Sequence, residues 1–272
     1  MEKHLTFENG SVFYQIKGNG PSIVFLHGFL EDHSIWNFFV KKLSRNYQVL
    51  TVDLPGFGKS SVFGEVHTME FMAETINLIL EKEKIRESIV VGHSMGGYVA
   101  MALAEKYPEK LDGIVLFHSH AAADDEQGKI NRNRTIEVVN KNHKDFIYSF
   151  IPLMFAEENQ KTFSKEIAEL QKIASFTSAE AVIAALAGMR DRKDQTALLA
   201  QFSEPVFFII GKQDTRIQFE KILEQIPIPK NCEALILEGV GHMGFIEAQE
   251  ITSLALEHFL ERDFYLHTLN KK

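Results

Sequence analysis

Ser88-Ile89-Val90-Val91-Gly92-His93-Ser94-Met95-Gly96-Gly97 is the stretch that decides the fold. Ser88–Val91 is β-branched and shows no polar alternation, the pattern of a short strand buried on both faces of a parallel sheet. Gly92 to Gly96 fits G-x-S-x-G. Tyr98 to Tyr107 then reads as helix, halted by Pro108, which disfavours helical geometry in the residue before it. Strand, tight turn and helix together give the motif its meaning. Such a turn is strained and needs small flanking residues. It lifts Ser94 Oγ over the sheet edge and points the next backbone N–H at the same space.

The same texture recurs on both sides. Ser22–Leu26, Val49–Val52, Gly113–Phe117, Val206–Ile210 and Ala234–Leu237 are further short apolar runs. Between them, Thr68 to Glu83 carries helical periodicity, and Ile246 to Leu260 is amphipathic. Near the start, Leu5–Glu8 and Ser11–Lys17 flank Asn9-Gly10, which predicts a two-residue hairpin turn. Strands alternating with helices imply an α/β sandwich: a mostly parallel sheet with helices on both faces. The alternation lapses from Ala121 to about Gln201, where the text is helical, and resumes at Pro205. The expected organisation is one domain, with residues 1–120 and 202–272 as the core and 121–201 as an inserted helical cap.

Composition narrows the class. The chain has 272 residues, of which 45% are hydrophobic, enough for a sizeable core. Lys plus Arg is 29 against 37 Asp plus Glu, a formal charge of −8, which disfavours nucleic acid as a partner. The one cysteine, Cys232, permits no internal disulfide and suits a reducing compartment. No apolar run reaches the roughly 18 residues of a membrane helix, and Met1-Glu2-Lys3-His4-Leu5 lacks the apolar stretch of a signal peptide. A cytoplasmic protein with no membrane partner is expected.

A serine hydroxyl needs a base, and the base needs an acid to orient it. On this architecture the chain order is Ser, acid, His. Asp214 follows the run Val206–Ile210, and His242 follows Ala234–Leu237. Both therefore fall at carboxyl ends of strands, where open α/β sheets hold ligands. That position separates His242 from His4, His67, His143, His258 and His267, which read as surface or helix positions. Asp124 and Asp125 are the competing acids, but they lie several residues beyond their strand and suit a helix cap. The oxyanion donors expected are the backbone N–H groups of Met95 and of Phe29, in His27-Gly28-Phe29-Leu30, with His27 as a structural hydrogen-bonder.

Taken in order, His27-Gly28-Phe29, Asp53-Leu54-Pro55-Gly56-Phe57-Gly58-Lys59-Ser60, Gly92-His93-Ser94-Met95-Gly96-Gly97, Gly211-x-x-Asp214 and Gly241-His242 resemble the α/β-hydrolase superfamily along essentially the whole chain. Within it the chain looks like the compact capped carboxylesterases, the group that includes pimeloyl-carrier-protein methyl esterases. The resemblance implies an α/β-hydrolase fold and a serine esterase acting on a small-molecule ester through Ser94, Asp214 and His242. It implies no cofactor and no metal, and it makes the Asp53 loop a structural support. Serine at 94 argues against the dehalogenase and epoxide hydrolase branches, which use Asp there. C–C hydrolysis or perhydrolysis on the same triad, and a receptor with little turnover, are the alternatives.

Three other motifs lead elsewhere and fail. Gly56-Phe57-Gly58-Lys59-Ser60 ends like a P-loop, but Asp53 stands where its first glycine belongs. Gly239-Val240-Gly241-His242-Met243-Gly244 fits G-x-G-x-x-G, yet a dinucleotide site needs a further parallel strand, and the remaining chain reads as one helix and a polar tail. His118-Ser119-His120 with Asp124 and Asp125 has metal-ligand types, but a strand end beside a pocket suits lining or hydrogen-bonding roles. The candidate substrate contacts are His93, Phe150, Met154 and Phe155, the last three from an unusually apolar part of the insertion. Arg190 reads as a solvated helix end.

Overall fold

A computed structural model describes residues 1–270, with side chains as far as Tyr265. Strands β1 (Glu2–Phe7), β2 (Gly10–Lys17), β3 (Ser22–Leu26), β4 (Gln48–Val52), β5 (Ser88–His93), β6 (Leu111–Phe117), β7 (Val206–Gly211) and β8 (Cys232–Leu237) form one sheet. Their order is β1-β2-β4-β3-β5-β6-β7-β8. The pairs β1–β2 and β2–β4 are antiparallel, and every later pair is parallel. The chain lays β4 on one side of β3 and β5 on the other, so the winding direction reverses between β3 and β5. A crevice opens beyond the strand ends at such a reversal.

The helices are α1 (Asn37–Leu43), α2 (Met69–Lys82), α3 (Met95–Lys106), α4 (Glu126–Phe150), α5 (Ser164–Ala174), α6 (Ala179–Arg190), α7 (Thr196–Gln201), α8 (Phe219–Leu223), α9 (Gly244–Glu247) and α10 (Gln249–Asn270). Thr68 starts α2 by accepting a hydrogen bond from Phe71 N–H, as an N-cap does. Ala248 (φ −137°, ψ 43°) separates α9 from α10, so the expected single C-terminal helix is two. Trp36 anchors the core under the sheet, with ring centroids 4.8 Å from Phe25, 5.5 Å from Phe39, 5.7 Å from Phe117 and 5.8 Å from Phe245.

The hairpin turn sits one residue earlier than Asn9-Gly10. Phe7 pairs with Gly10, so Glu8 and Asn9 make the turn, and Glu8 takes the positive φ of 46°. Gly10 instead serves a close approach: a Cβ there would lie 2.6 Å from Ser61 Cβ.

Between β6 and β7 the chain forms α4 to α7 and short 3₁₀ turns, with no strand among the described residues. Helix α4 is broken at Asn142 (φ −155°, ψ 81°), whose Oδ1 accepts from Asp145 N–H and restarts the helix. No single described helix is long and apolar enough to cross a membrane.

Candidate active site

Ser94 lies between the end of β5 and the start of α3, with φ 48° and ψ −112°. A non-glycine residue in such a conformation costs of order 1–3 kcal/mol and persists only where its surroundings fix it. Ser94 N–H donates to Phe117 O at 3.0 Å. Its carbonyl accepts from Gly97 N–H at 2.9 Å and from Ser119 Oγ at 2.8 Å. The motif's second glycine is a packing requirement, since a Cβ on Gly96 would stand 2.4 Å from Leu26 O at the end of β3. The elbow therefore sits directly against the loop that follows β3.

In that loop His27 donates from Nδ1 to Gly28 O (2.8 Å) and accepts from Leu54 N–H at Nε2 (2.9 Å), which fixes its tautomer. Asp53 is fully buried. It accepts from His33 N–H, His33 Nδ1 and Lys59 N–H, so the Asp53 loop is braced against the same region. Among the described residues, no acceptor meets Phe29 N–H or Met95 N–H.

Asp214 leaves the end of β7 and is buried. Its Oδ1 accepts from Arg216 N–H (2.8 Å) and Ile217 N–H (2.9 Å). Its Oδ2 accepts from His242 Nδ1 (2.7 Å) and His118 Nδ1 (3.1 Å). A carboxylate only accepts, so both rings carry hydrogen on Nδ1. Burial acts to raise the Asp214 carboxyl. Its interaction with His242 and the bonds from His118 and His242 outweigh that, and hold it far below the usual carboxylate range. Burial pushes His118 down to about 4, against the pull of Asp214, so that ring is neutral. His242 Nε2 is buried and without a hydrogen-bond partner, and the Ser94 Oγ–His242 Nε2 bond is not formed in this structure. Such bonds commonly tighten only when substrate is bound.

The His242 backbone is gripped from two sides. Its N–H donates to Met154 O (2.7 Å) in the inserted segment, and its carbonyl accepts from His93 Nε2 (3.0 Å). Glu247 reinforces the junction. Its Oε1 accepts from Gly241 N–H and Met243 N–H, both at 3.1 Å. Its Oε2 accepts from Ala156 N–H (3.0 Å) and Asn159 Nδ2 (2.7 Å). Thr215 Oγ1 adds a bond to Leu153 O at 3.1 Å.

Several candidates change role. His93 is fully buried, with both ring nitrogens taken by Glu31 and His242 O, so it has no polar atom left for a substrate. Met154 and Phe155 are only 3% and 2% exposed. Met154 contributes its carbonyl to His242, and Phe155 packs its ring 6.1 Å from Phe163. Phe150 is half-buried, 6.0 Å from the Phe29 ring and 5.4 Å from the Arg216 guanidinium, so it borders the loop after β3. Asp124 pairs with Arg132 and Arg192, while Asp125 caps α4 through Gly128 N–H; neither bonds His242. Arg190 is held by Asp191 and Asn133. His67 is not a surface residue: it is buried, accepts from Phe63 N–H, and is pushed down by burial to about 4. His267 lies outside the residues whose side chains are described.

His118, Asp214 and His242 bring ligand-type atoms within 4.8 Å of one another, as do Asp32, His33 and Asp53. Hydrogen bonds account for each cluster without an ion. Sequence reasoning missed the partnership of His118 with Asp214 and the part played by Glu31. His118 ends the strand beside the elbow, and that position was the available signal.

A family model described as alpha/beta hydrolase fold matches residues 21–249. The pimeloyl-[acyl-carrier protein] methyl ester esterase of Aeromonas hydrophila is 28% identical over 264 residues, covering 92% of this chain and 99% of that protein. A solved thermophilic esterase from Thermogutta terrifontis, in a malate-bound structure, is similar with a TM-score of 0.91 and 28% identity over 97% of this chain and 99% of its own. The enol-lactonase of Burkholderia xenovorans has a TM-score of 0.88 at 19% identity, covering 95% of this chain and all (100%) of that chain, a likeness of fold alone.

Proposed function

The chain belongs to the α/β-hydrolase fold family, and from that membership we propose that it is an ester-cleaving hydrolase working through a serine acyl-enzyme. Ser94 Oγ attacks the ester carbonyl, and His242 Nε2 takes its proton. The tetrahedral oxyanion lies against Phe29 N–H and Met95 N–H, donors worth typically 2.7–4 kcal/mol each in such sites. The same imidazole then delivers the proton to the departing alcohol. Water attacks the acyl-enzyme by the reverse relay, and Ser94 is released with the acid. Asp214 orients His242 and stabilises its transient cation. The inserted residues 121–201 act as a cap over this centre. The substrate is a carboxylic ester of small or medium size.

The observation that carries this reading is the 2.7 Å bond from His242 to a strongly ionised Asp214, with the far nitrogen of the ring left without a partner. The names of the relatives, esterases of pimeloyl-carrier methyl ester and of unspecified esters, point the same way. The test is a panel of nitrophenyl esters with acyl and alcohol parts varied independently, run beside a ring-cleavage diketone. Esters should turn over and the diketone should not. Ser94→Ala should lose about 10⁴-fold or more in kcat with folding intact. Near-native turnover in that variant, or cleavage of the diketone alone, overturns the proposal.

A further inference from the structure

Glu31 and His93 lie under the active centre, and both side chains are fully buried (0% exposed). His93 Nδ1 meets Glu31 Oε2 at 2.9 Å, and His93 Nε2 meets the His242 carbonyl at 3.0 Å. The same Glu31 oxygen accepts from Gly28 N–H, one residue before the oxyanion donor Phe29. The loops after β3 and β8 and the end of β5 therefore converge on two side chains.

We propose that Glu31 and His93 form a buried ion pair that holds the oxyanion loop and the His242 backbone in register, which makes both of them positioning residues. The inference rests on the serine-esterase reading above. Counting donors assigns the charge. A backbone carbonyl only accepts, so His93 Nε2 carries hydrogen. The Nδ1 contact then has two forms: an imidazolium donating to a carboxylate, or a neutral carboxylic acid donating to a bare nitrogen. In the second form the protonated oxygen is the one that also accepts from Gly28 N–H, a weaker acceptor than a carboxylate oxygen. The ion pair satisfies all three contacts. Burial opposes the charge on His93, but Glu31 outweighs it and holds that pKa above the ordinary histidine value. Burial likewise acts to raise Glu31, and His93 holds it below the usual carboxylate range.

The other ionisable groups facing the pair are His27, on the Glu31 side, and His118, His242 and Asp214, on the His93 side. Phe117 and Phe245 close the remaining walls around His93, with ring centroids 6.2 Å and 5.0 Å away. A charge pair sealed in this way is costly to break, because either partner left alone is an uncompensated buried charge.

Nitrogen NMR of histidine-labelled protein, with His93→Gln to assign the signal, reads the ring directly. Both ring nitrogens should stay protonated from pH 6 to 8; a singly protonated His93 across that range overturns the proposal. Glu31→Gln keeps the side-chain size and removes the charge. It should lower kcat on nitrophenyl acetate about 10- to 100-fold with KM nearly unchanged, as misplacement of reacting groups does. His93 in that variant should lose a ring proton at lower pH than in the wild type, because burial is then no longer offset by Glu31. Unchanged kcat together with an unchanged His93 charge overturns the proposal. If Glu31→Gln does not fold, the wild-type spectra still decide. If the wild type cleaves no ester and a fluorophosphonate leaves Ser94 unlabelled, the serine reading fails, while the His93 spectra judge the ion pair separately.

Discussion

Asp214 takes hydrogen bonds from two rings and two backbone N–H groups. Asn at that position keeps the size but offers one acceptor where two are used, and it favours the wrong His242 tautomer. Asp214→Asn should cost roughly 10⁴ in kcat. Asp124→Asn and Asp125→Asn should leave kcat within a few-fold, since their partners are Arg132, Arg192 and a helix N-terminus. Rates on one nitrophenyl ester check the contrast; a severe loss at 124 or 125 with a mild one at 214 moves the acid. The positions of Ser94, Asp214 and His242 were legible because each follows an apolar run at a strand end. The role of His93 was not. G-x-S-x-G says that a residue stands before the serine, but only the fold shows that its ring turns inward onto Glu31, 62 residues earlier.

At the scale of elements, the strands announced themselves through unbroken β-branched runs, and the first turn of the hairpin did not. Asn-Gly favours positive φ at both positions, but the register puts Glu8 and Asn9 in the turn and leaves Gly10 close against Ser61, a contact that no local pattern announces. The junction between residues 151–159 and the His242 loop was equally hidden, because Glu247 reaches Ala156 N–H, 91 residues away, and the Asn159 side chain, and such contacts leave no local period. Glu247→Ala removes four hydrogen bonds and leaves Gly241, Met243 and Ala156 N–H without their acceptor, while Asn159 Nδ2 keeps Gly239 O. Hydrogen bonds to a charged group are worth about 1.5–3 kcal/mol each, and this residue is only partly buried, so a total loss of a few kcal/mol is expected. The urea midpoint should fall, and kcat should fall with it because Gly241 and Met243 flank His242. A stable variant with full activity would show that the four bonds hold nothing in place.

For the whole molecule, burial governs the response to acid. It pushes His67 and His118 to about 4 and His120 to about 3, and it lowers the fully buried His27 as well. The unfolded chain protonates these groups near 6.5, so between pH 6.5 and 4 it binds protons that the native state refuses. Stability therefore falls as pH falls, by at most about 1.4 kcal/mol per unit for each group. His33 and His93 are shifted upward. Their contribution is complete below the unfolded value and is lost only as pH rises, so they leave this window untouched. Asp53, Asp124 and Asp214, all shifted downward, act only below about 4. The urea midpoint should drop between pH 6.5 and 5 with uptake of up to four protons on unfolding; a flat midpoint across that range would refute the assignment.

The bonds from residues 151–159 to the His242 loop also set an order of failure. The segment is also packed, with Ile151, Met154, Phe155 and Ala156 buried, but it lies outside the sheet, and local opening of such a segment costs less free energy than unfolding the whole molecule. When this one leaves, it removes the Met154 carbonyl from His242 N–H and two donors from Glu247. Warming should then silence the protein while its sheet is still intact, and cooling should revive it. Activity followed on one ester should fade at a lower temperature than the circular dichroism of the strands; coincident transitions would show that the grip on this loop does not limit the protein.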